Sequence, residues 1–322
     1  MNRAREWFAR IGNGRSFMPR QMLPFFPIIS KSSAKRRARV SPARRLILAA
    51  QRCFATQAAA RCCWLRLKFF RDKEIGMTTK SLENNALANK VILVTGASQG
   101  LGAEVAKACA AAGATVVLLG RSQKKLEKVY DEVLAAGSAE PFAICFDMMG
   151  AQELEFEQLA RTLADATQGK LDGVIHCASY FYALSPLDFQ TVAEWVNQYR
   201  INTVAPMALT RAVLPLLKES PDASVIFVGE SHGEAPQAYW GGFGASKAAL
   251  NYLCKVAADE WERFPNLRAN VLVPGSINSP QRIKTHPGET AAERKDMADI
   301  TPDFVWWASE ASKGRSGEIV YL

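Results

Sequence analysis

VILVTGASQGLG, residues Val91 to Gly102, decides the reading of this chain. Val91 to Val94 are apolar and mostly β-branched, the signature of a strand buried on both faces, and Thr95-Gly96 breaks the run into a turn. Gly100 and Gly102 then open AEVAKACAAAG, an Ala-rich segment with helical spacing that Gly113 ends. Strand, glycine-rich turn and helix in this order make a phosphate cradle. Gly96 permits the tight turn, Gly100 lets backbone approach a pyrophosphate, and Gly102 lets the helix pack on the strand, with free N–H groups facing the anion. An isolated glycine turn could carry the same letters, so the rest of the chain has to be read beside it.

Downstream, strand and helix patterns alternate. Thr115 to Leu119 is a second strand, ending in Gly120-Arg121-Ser122, and a helix runs from Lys124 to Ala136. Pro141 to Phe146 is a third strand, followed by Asp147-Met148, and Leu154 to Thr167 a helix. LDGVIHCAS holds the fourth strand and its turn, and Phe189 to Lys218 reads as one long helix with Asn202 inside it. Asn is a poor helix former, so in mid-helix it either faces solvent or has a task. SVIFVGESHG gives a fifth strand and loop, GGFGASKAALNYLCKVAADEW a helix, and Leu267 to Val273 a sixth strand. A polar segment at 280–298, a helix from Pro302 to Ala311 and the terminal strand GEIVYL complete the pattern. This alternation predicts an α/β fold: one doubly wound domain around a parallel sheet of about seven strands.

The spelling TGxxxGxG, with Asn202-Thr203, Ser246-Lys247 and Pro274-Gly275 following in order, resembles the short-chain dehydrogenase/reductase (SDR) family, with the bacterial YciK-like oxidoreductases nearest in character. The resemblance covers about residues 88 to 322. It implies a Rossmann-type domain, hydride transfer between a nicotinamide cofactor and a small carbonyl or alcohol substrate, and a homo-oligomer. The implied cofactor residues are Gly96, Ser98, Gly100, Leu101, Gly102, Arg121, Ser122, Asp147, Met148, Cys177, Ala178, Lys247, Pro274, Gly275, Ile277 and Ser279. A strand end that holds NAD carries an acid for the ribose 2′-hydroxyl. Here Arg121 offers a planar fork of donors and Ser122 a hydroxyl, which favours the 2′-phosphate of NADP(H) over NAD(H).

Asn202 and Lys247 match the family's catalytic set, in which the Asn holds a water that leads to the Lys. Two positions depart from it. The proton-donating Tyr four residues before Lys247 is Phe243, and the Ser that meets the substrate oxygen is Glu230, with Ser231 one place out of register. The family's NNAG is His176-Cys177-Ala178-Ser179, so the Asn that braces the sheet and the Gly beside the cofactor are replaced. Glu230 is the tentative substitute acid, and Tyr239, His232, Tyr180 and Tyr182 are further candidates. The competing reading is a cofactor-binding pseudoenzyme with a sensing or partner-binding role. The segment 280–298 reads as a mobile lid over the substrate.

The formal charge of +9 over 322 residues is unevenly placed. Residues 1–76 hold 18 Lys or Arg against three acids, a net of +15, and the remainder carries −6. The mildly acidic remainder speaks against nucleic-acid binding by the folded domain. The extension is Arg-rich and acid-poor, the composition of an organelle transit peptide, and has no run of 18 apolar residues that could span a membrane. Met77 opens a polar lead-in to the first strand. Residues 77–322 are therefore the expected domain, with 1–76 disordered, a gene-start artefact, or a basic tail for RNA or acidic lipid. Seven cysteines without CxxC spacing and three histidines without ligand spacing predict neither disulfides nor a metal site, and fit a reducing cytoplasm.

Overall fold

A computed structural model describes residues 85–322. The basic extension, the boundary at Met77, and Cys53, Cys62 and Cys63 lie outside the described residues. Seven strands, β1 Val91–Thr95, β2 Thr115–Gly120, β3 Phe142–Cys145, β4 Gly173–His176, β5 Ala223–Val228, β6 Leu267–Val273 and β7 Ile319–Tyr321, form one sheet in the order β3-β2-β1-β4-β5-β6-β7. Every pairing is parallel. The order reverses between β1 and β4, and a doubly wound sheet binds its ligand at that crevice, beyond the carboxyl ends of the strands.

Parallel strands need crossovers, and these cover both faces. One face holds α1 Gly100–Ala111 and α2 Gln123–Ala135, joined by a late helix, Met297–Ala308. The other holds α3 Glu153–Thr167, the segment from residue 192 to 219, and the helix Gly241–Glu260. Leu93, Val117, Val174 and Phe227 on one side, and Ile92, Val116, Ile175 and Ile226 on the other, are fully or almost fully buried, which is the period-2 alternation of a sheet covered twice. Among the described residues no helix is long and apolar enough to cross a membrane.

Two helices differ from the sequence expectation. The long helix breaks into α4 Val192–Tyr199, a π-helical turn Arg200–Val204, and α5 Ala205–Glu219. Pro206, four residues after Asn202, has no N–H to give the Asn202 carbonyl, and the N–H of Ala205 reaches the Arg200 carbonyl instead, five residues back. After α6 (Gly241–Glu260) and the short α7 (Pro280–Thr285), α8 spans Met297–Ala308 rather than Pro302 to Ala311. Pro302 fits inside it because the Thr301 hydroxyl donates to the Ala298 carbonyl at 3.1 Å, the acceptor that the proline nitrogen cannot serve.

Candidate functional site

The carboxyl ends of β1, β4, β5 and β6 enclose a cleft of about 270 Å³. At its head Gly96 and Gly100 take φ of +68° and +59°, conformations that side chains resist. A Cβ on Gly96 would stand 2.8 Å from Ala178 Cα, and one on Gly102 would stand 2.8 Å from the Gly96 carbonyl carbon. These glycines hold the β1–α1 turn against the β4 turn. The Thr95 hydroxyl accepts from the Ala178 N–H at 3.1 Å and joins the β1 turn to the β4 turn.

Gly96, Ser98, Gly100, Leu101 and Gly102 line one wall. Arg121, Asp147 and Met148 close the end beside β2 and β3. Cys177 and Ala178 meet the cleft from β4, and Pro274, Gly275, Ile277 and Ser279 from the turn after β6. Ser122, next to Arg121, is half-buried at the N-cap position of α2 and makes no side-chain cap hydrogen bond there. Burial pushes the Cys177 thiol far above its ordinary range, and Lys247 only partly offsets this. Ser279 caps α7, accepting from Arg282 N at 3.1 Å.

Lys247, Glu230 and Phe243 share the opposite end. The Lys247 ammonium donates to the Val228 carbonyl at 2.8 Å. Burial pulls it down to about 8, while negative charge on Glu230 acts the other way. Phe243 is 2% exposed, meets Phe181 edge to face at 5.3 Å, and lies 5.7 Å from Lys247 Nζ. Glu230 Oε1 accepts from the N–H of Ser231 at 3.0 Å and from its hydroxyl at 2.9 Å. Ser231 is thus engaged with its neighbour and does not replace the missing serine.

Asn202 is 1% exposed and outside the cleft wall. Its Oδ1 accepts from Tyr180 N at 2.8 Å and Ser179 Oγ at 3.2 Å; its Nδ2 donates to Tyr180 O at 2.9 Å and Ser246 Oγ at 2.9 Å. All four bonding positions of the amide are filled by protein. The side chain therefore clamps the β4 turn to α6, and Pro206 leaves the Asn202 main-chain carbonyl without its α-helical donor.

Of the other candidates only Tyr180 lines the cleft. Tyr182 and Tyr239 are each 56% exposed, and His232 packs on Trp240 with ring centroids 3.9 Å apart. The segment 280–298 carries α7 and a 3-10 turn and is tied together by Glu289, which pairs with Arg282 and Arg294 and accepts from Ser276. The hydrogen-bonded Arg282 guanidinium holds Glu289 at about 2. Phe146, Ile201, Gln281, Arg282 and Thr285 also line the cleft and were not read from sequence, although each lies within six residues of a motif residue. No group of three or more potential metal ligands occurs among the described residues.

Residues 90–290 match the short chain dehydrogenase family. The oxidoreductase YciK of Escherichia coli (strain K12) is 34% identical over 235 residues, 73% of this chain and 92% of that protein. A short chain dehydrogenase from Pseudomonas syringae superposes with a TM-score of 0.73 at 36% identity, covering 75% of this chain and 97% of that one. A short chain dehydrogenase from Escherichia coli CFT073, solved with NADPH, superposes with a TM-score of 0.72 at 34% identity, covering 74% and 99%. With the glycine cradle, the seven-stranded order and Lys247 in place, the chain belongs to the short chain dehydrogenase family and is an oxidoreductase of that fold.

Proposed function

We propose that this chain is an NADP(H)-dependent oxidoreductase that transfers hydride to or from a small polarised double bond, a carbonyl and its alcohol in the first instance. The observation that carries this is a single cleft with a built phosphate cradle and Arg121 at one end, and Lys247 and Glu230 at the other. The Cβ-free cradle fits a dinucleotide, with Gly96 to Gly102 at the pyrophosphate and Arg121 at a 2′-phosphate. Asp147 and Met148 would flank the adenine, and Lys247 and the Pro274 turn the nicotinamide end. When bound, the reduced nicotinamide supplies the hydride. Glu230 and Tyr180 both line the cleft, and for a carbonyl acceptor the proton would come from one of them, since Phe243 has none to give.

That NADPH accompanies a related structure supports the cofactor class, and Arg121 supports the preference over NADH. Calorimetry tests it: the protein binds NADPH more tightly than NADH, and Arg121→Asp removes the difference. An unchanged preference would take Arg121 out of the site. One observation favours a second reading, a cofactor-binding protein without turnover: the ring of Phe243 beside Lys247. NADPH absorbance against a panel of small carbonyls, and NADP⁺ reduction against alcohols, separates the two readings.

A further inference from the structure

We propose that the preferred hydride acceptor is a positively charged carbon–nitrogen double bond, the iminium of a small amine, rather than a carbonyl. This rests on the hydride-transfer reading of the same cleft and names its substrate class. Two groups in the wall suit a cation. Glu230 is fixed through Oε1 by Ser231, and no hydrogen bond among the described residues holds Oε2. Phe243, in the same wall, is braced by Phe181 and has the Lys247 ammonium 5.7 Å from its ring centre, so the aromatic ring and the carboxylate already draw one positive charge. The Lys247 ammonium is drawn to the Val228 carbonyl. Three nearby hydroxyls are engaged elsewhere, Ser231 with Glu230, Ser179 with Asn202, and Thr285 with the Arg282 carbonyl, so the Tyr180 phenol in the wall is the donor that a carbonyl oxygen would have to use. The lid does not favour an anion either, since Arg282 is paired with Glu289.

The electron count separates the two acceptors. A carbonyl carbon that gains hydride leaves the former π pair on oxygen, and the oxygen needs a proton in the same event. A carboxylate beside that developing alkoxide repels it. An iminium carbon gains the hydride, the C=N π pair returns to nitrogen as a lone pair, and a neutral amine leaves; the dihydronicotinamide is oxidised and no proton moves. General acid catalysis is worth ~10²–10⁴-fold, so a site with Phe243 at the family's acid position forfeits that for a carbonyl unless Tyr180 supplies the proton, and forfeits nothing for an iminium.

N-Methyl-3,4-dihydroisoquinolinium, which is permanently charged and takes no proton, is compared with its near-isostere 1-tetralone, following NADPH absorbance. Intrinsic reactivity is removed by comparing variants. Glu230→Gln should lower the iminium-to-ketone ratio of kcat/KM at least ~10-fold, and the double variant Phe243→Tyr with Glu230→Ser should raise ketone reduction while iminium reduction falls. A second readout needs no turnover. N,N-Dimethyl-1,2,3,4-tetrahydroisoquinolinium, titrated by tryptophan fluorescence with NADP⁺ present, should bind at least ~10-fold more weakly to Glu230→Gln. A ketone rate lost in Glu230→Gln or Tyr180→Phe while the iminium rate persists would overturn the inference and leave the carbonyl oxidoreductase standing. Charge-independent binding would also overturn it. No turnover of either acceptor with NADPH bound would overturn the hydride-transfer reading and this inference together.

Discussion

Lys247 shows how far a single position can be read. Its spacing from Phe243 and its place after Ser246 identify it in the sequence, yet its electrostatics depend on burial at 3% exposure and on Val228 and Glu230, which arrive from β5. The resulting pH dependence has two opposite signs. An ammonium that holds the nicotinamide end is lost as pH rises through about 8, so NADPH affinity should fall there, and Lys247→Met should bind weakly with no such step. Stability moves the other way. The folded pKa lies below the unfolded value of ~10.4, so the unfolded state binds more protons and the free protein gains stability between about 8 and that value. Calorimetric titrations and melts across this window check both. Phe243 and Glu230 were legible as departures from the family, but the bond from Ser231 to Glu230 was not, because register alone does not show where a hydroxyl points. The bond also predicts that Phe243→Tyr alone gains little on carbonyls. Phe243→Tyr with Glu230→Ser should gain ~10²–10⁴-fold and exceed the product of the single effects, since acid and oxygen donor act as a unit. Steady-state kcat/KM of the four proteins measures this.

The π-helical turn Arg200–Val204 is the element the hydrophobic period missed. Apolar spacing continues smoothly from α4 into α5, and a period search cannot see one extra residue in a turn. The signal that was present is local: Asn202 followed four places later by Pro206, which removes the N–H that an α-helix would give to the Asn202 carbonyl. Strands and the helices α2, α3 and α6 were legible to within a residue or two, because continuous apolar runs and punctuating glycines report burial directly, whereas α8 starts five residues before the Pro302 that reads as its first turn. What sequence could not supply is the partner of Asn202, since Tyr180 and Ser246 lie 22 and 44 residues away. The turn joins β4 to α6 through that one amide. Asn202→Ala leaves the Tyr180 N–H and C=O without their partner and should cost roughly 2–4 kcal/mol, a drop in Tm on the order of 10 °C. A melt of the variant shows this, and NADPH should bind more weakly as the β4 turn loosens from Gly96. A variant with unchanged Tm and weakened turnover would instead return Asn202 to the reacting groups.

Across the whole molecule the site end of the sheet is offset by a charged cluster at the opposite, amino ends of the strands. Strand order was accessible from the alternation of elements, since parallel crossovers have few permitted arrangements. This cluster was not, because its members are scattered: Asp222, before β5, bonds Lys90 before β1 at 2.5 Å and pairs with Arg268 in β6. Lys90 also reaches the Asp222 carbonyl, and Asp172, before β4, accepts from Val91 N and Ser220 Oγ. Four strands are thereby held in register by groups that water barely reaches. Burial alone would raise the Asp222 pKa, but hydrogen bonds and charge from Arg268 and Lys90 outweigh it and lower the folded value. A depressed folded pKa gives stability that is present above the unfolded value of ~3.9 and is lost as pH falls through the folded one. Asp222→Asn keeps the shape and removes the charge, leaving two buried cations without their counterion, and should cost about 3–5 kcal/mol at neutral pH. Melts of both proteins from pH 7 to 3 measure the gap. It should be widest near neutrality and narrow below pH ~4, where Asp222 in the unfolded parent takes up a proton before the folded carboxylate does. A gap that stayed constant down to pH 3 would mean that shape at Asp222, and not its charge, holds β1, β5 and β6 together.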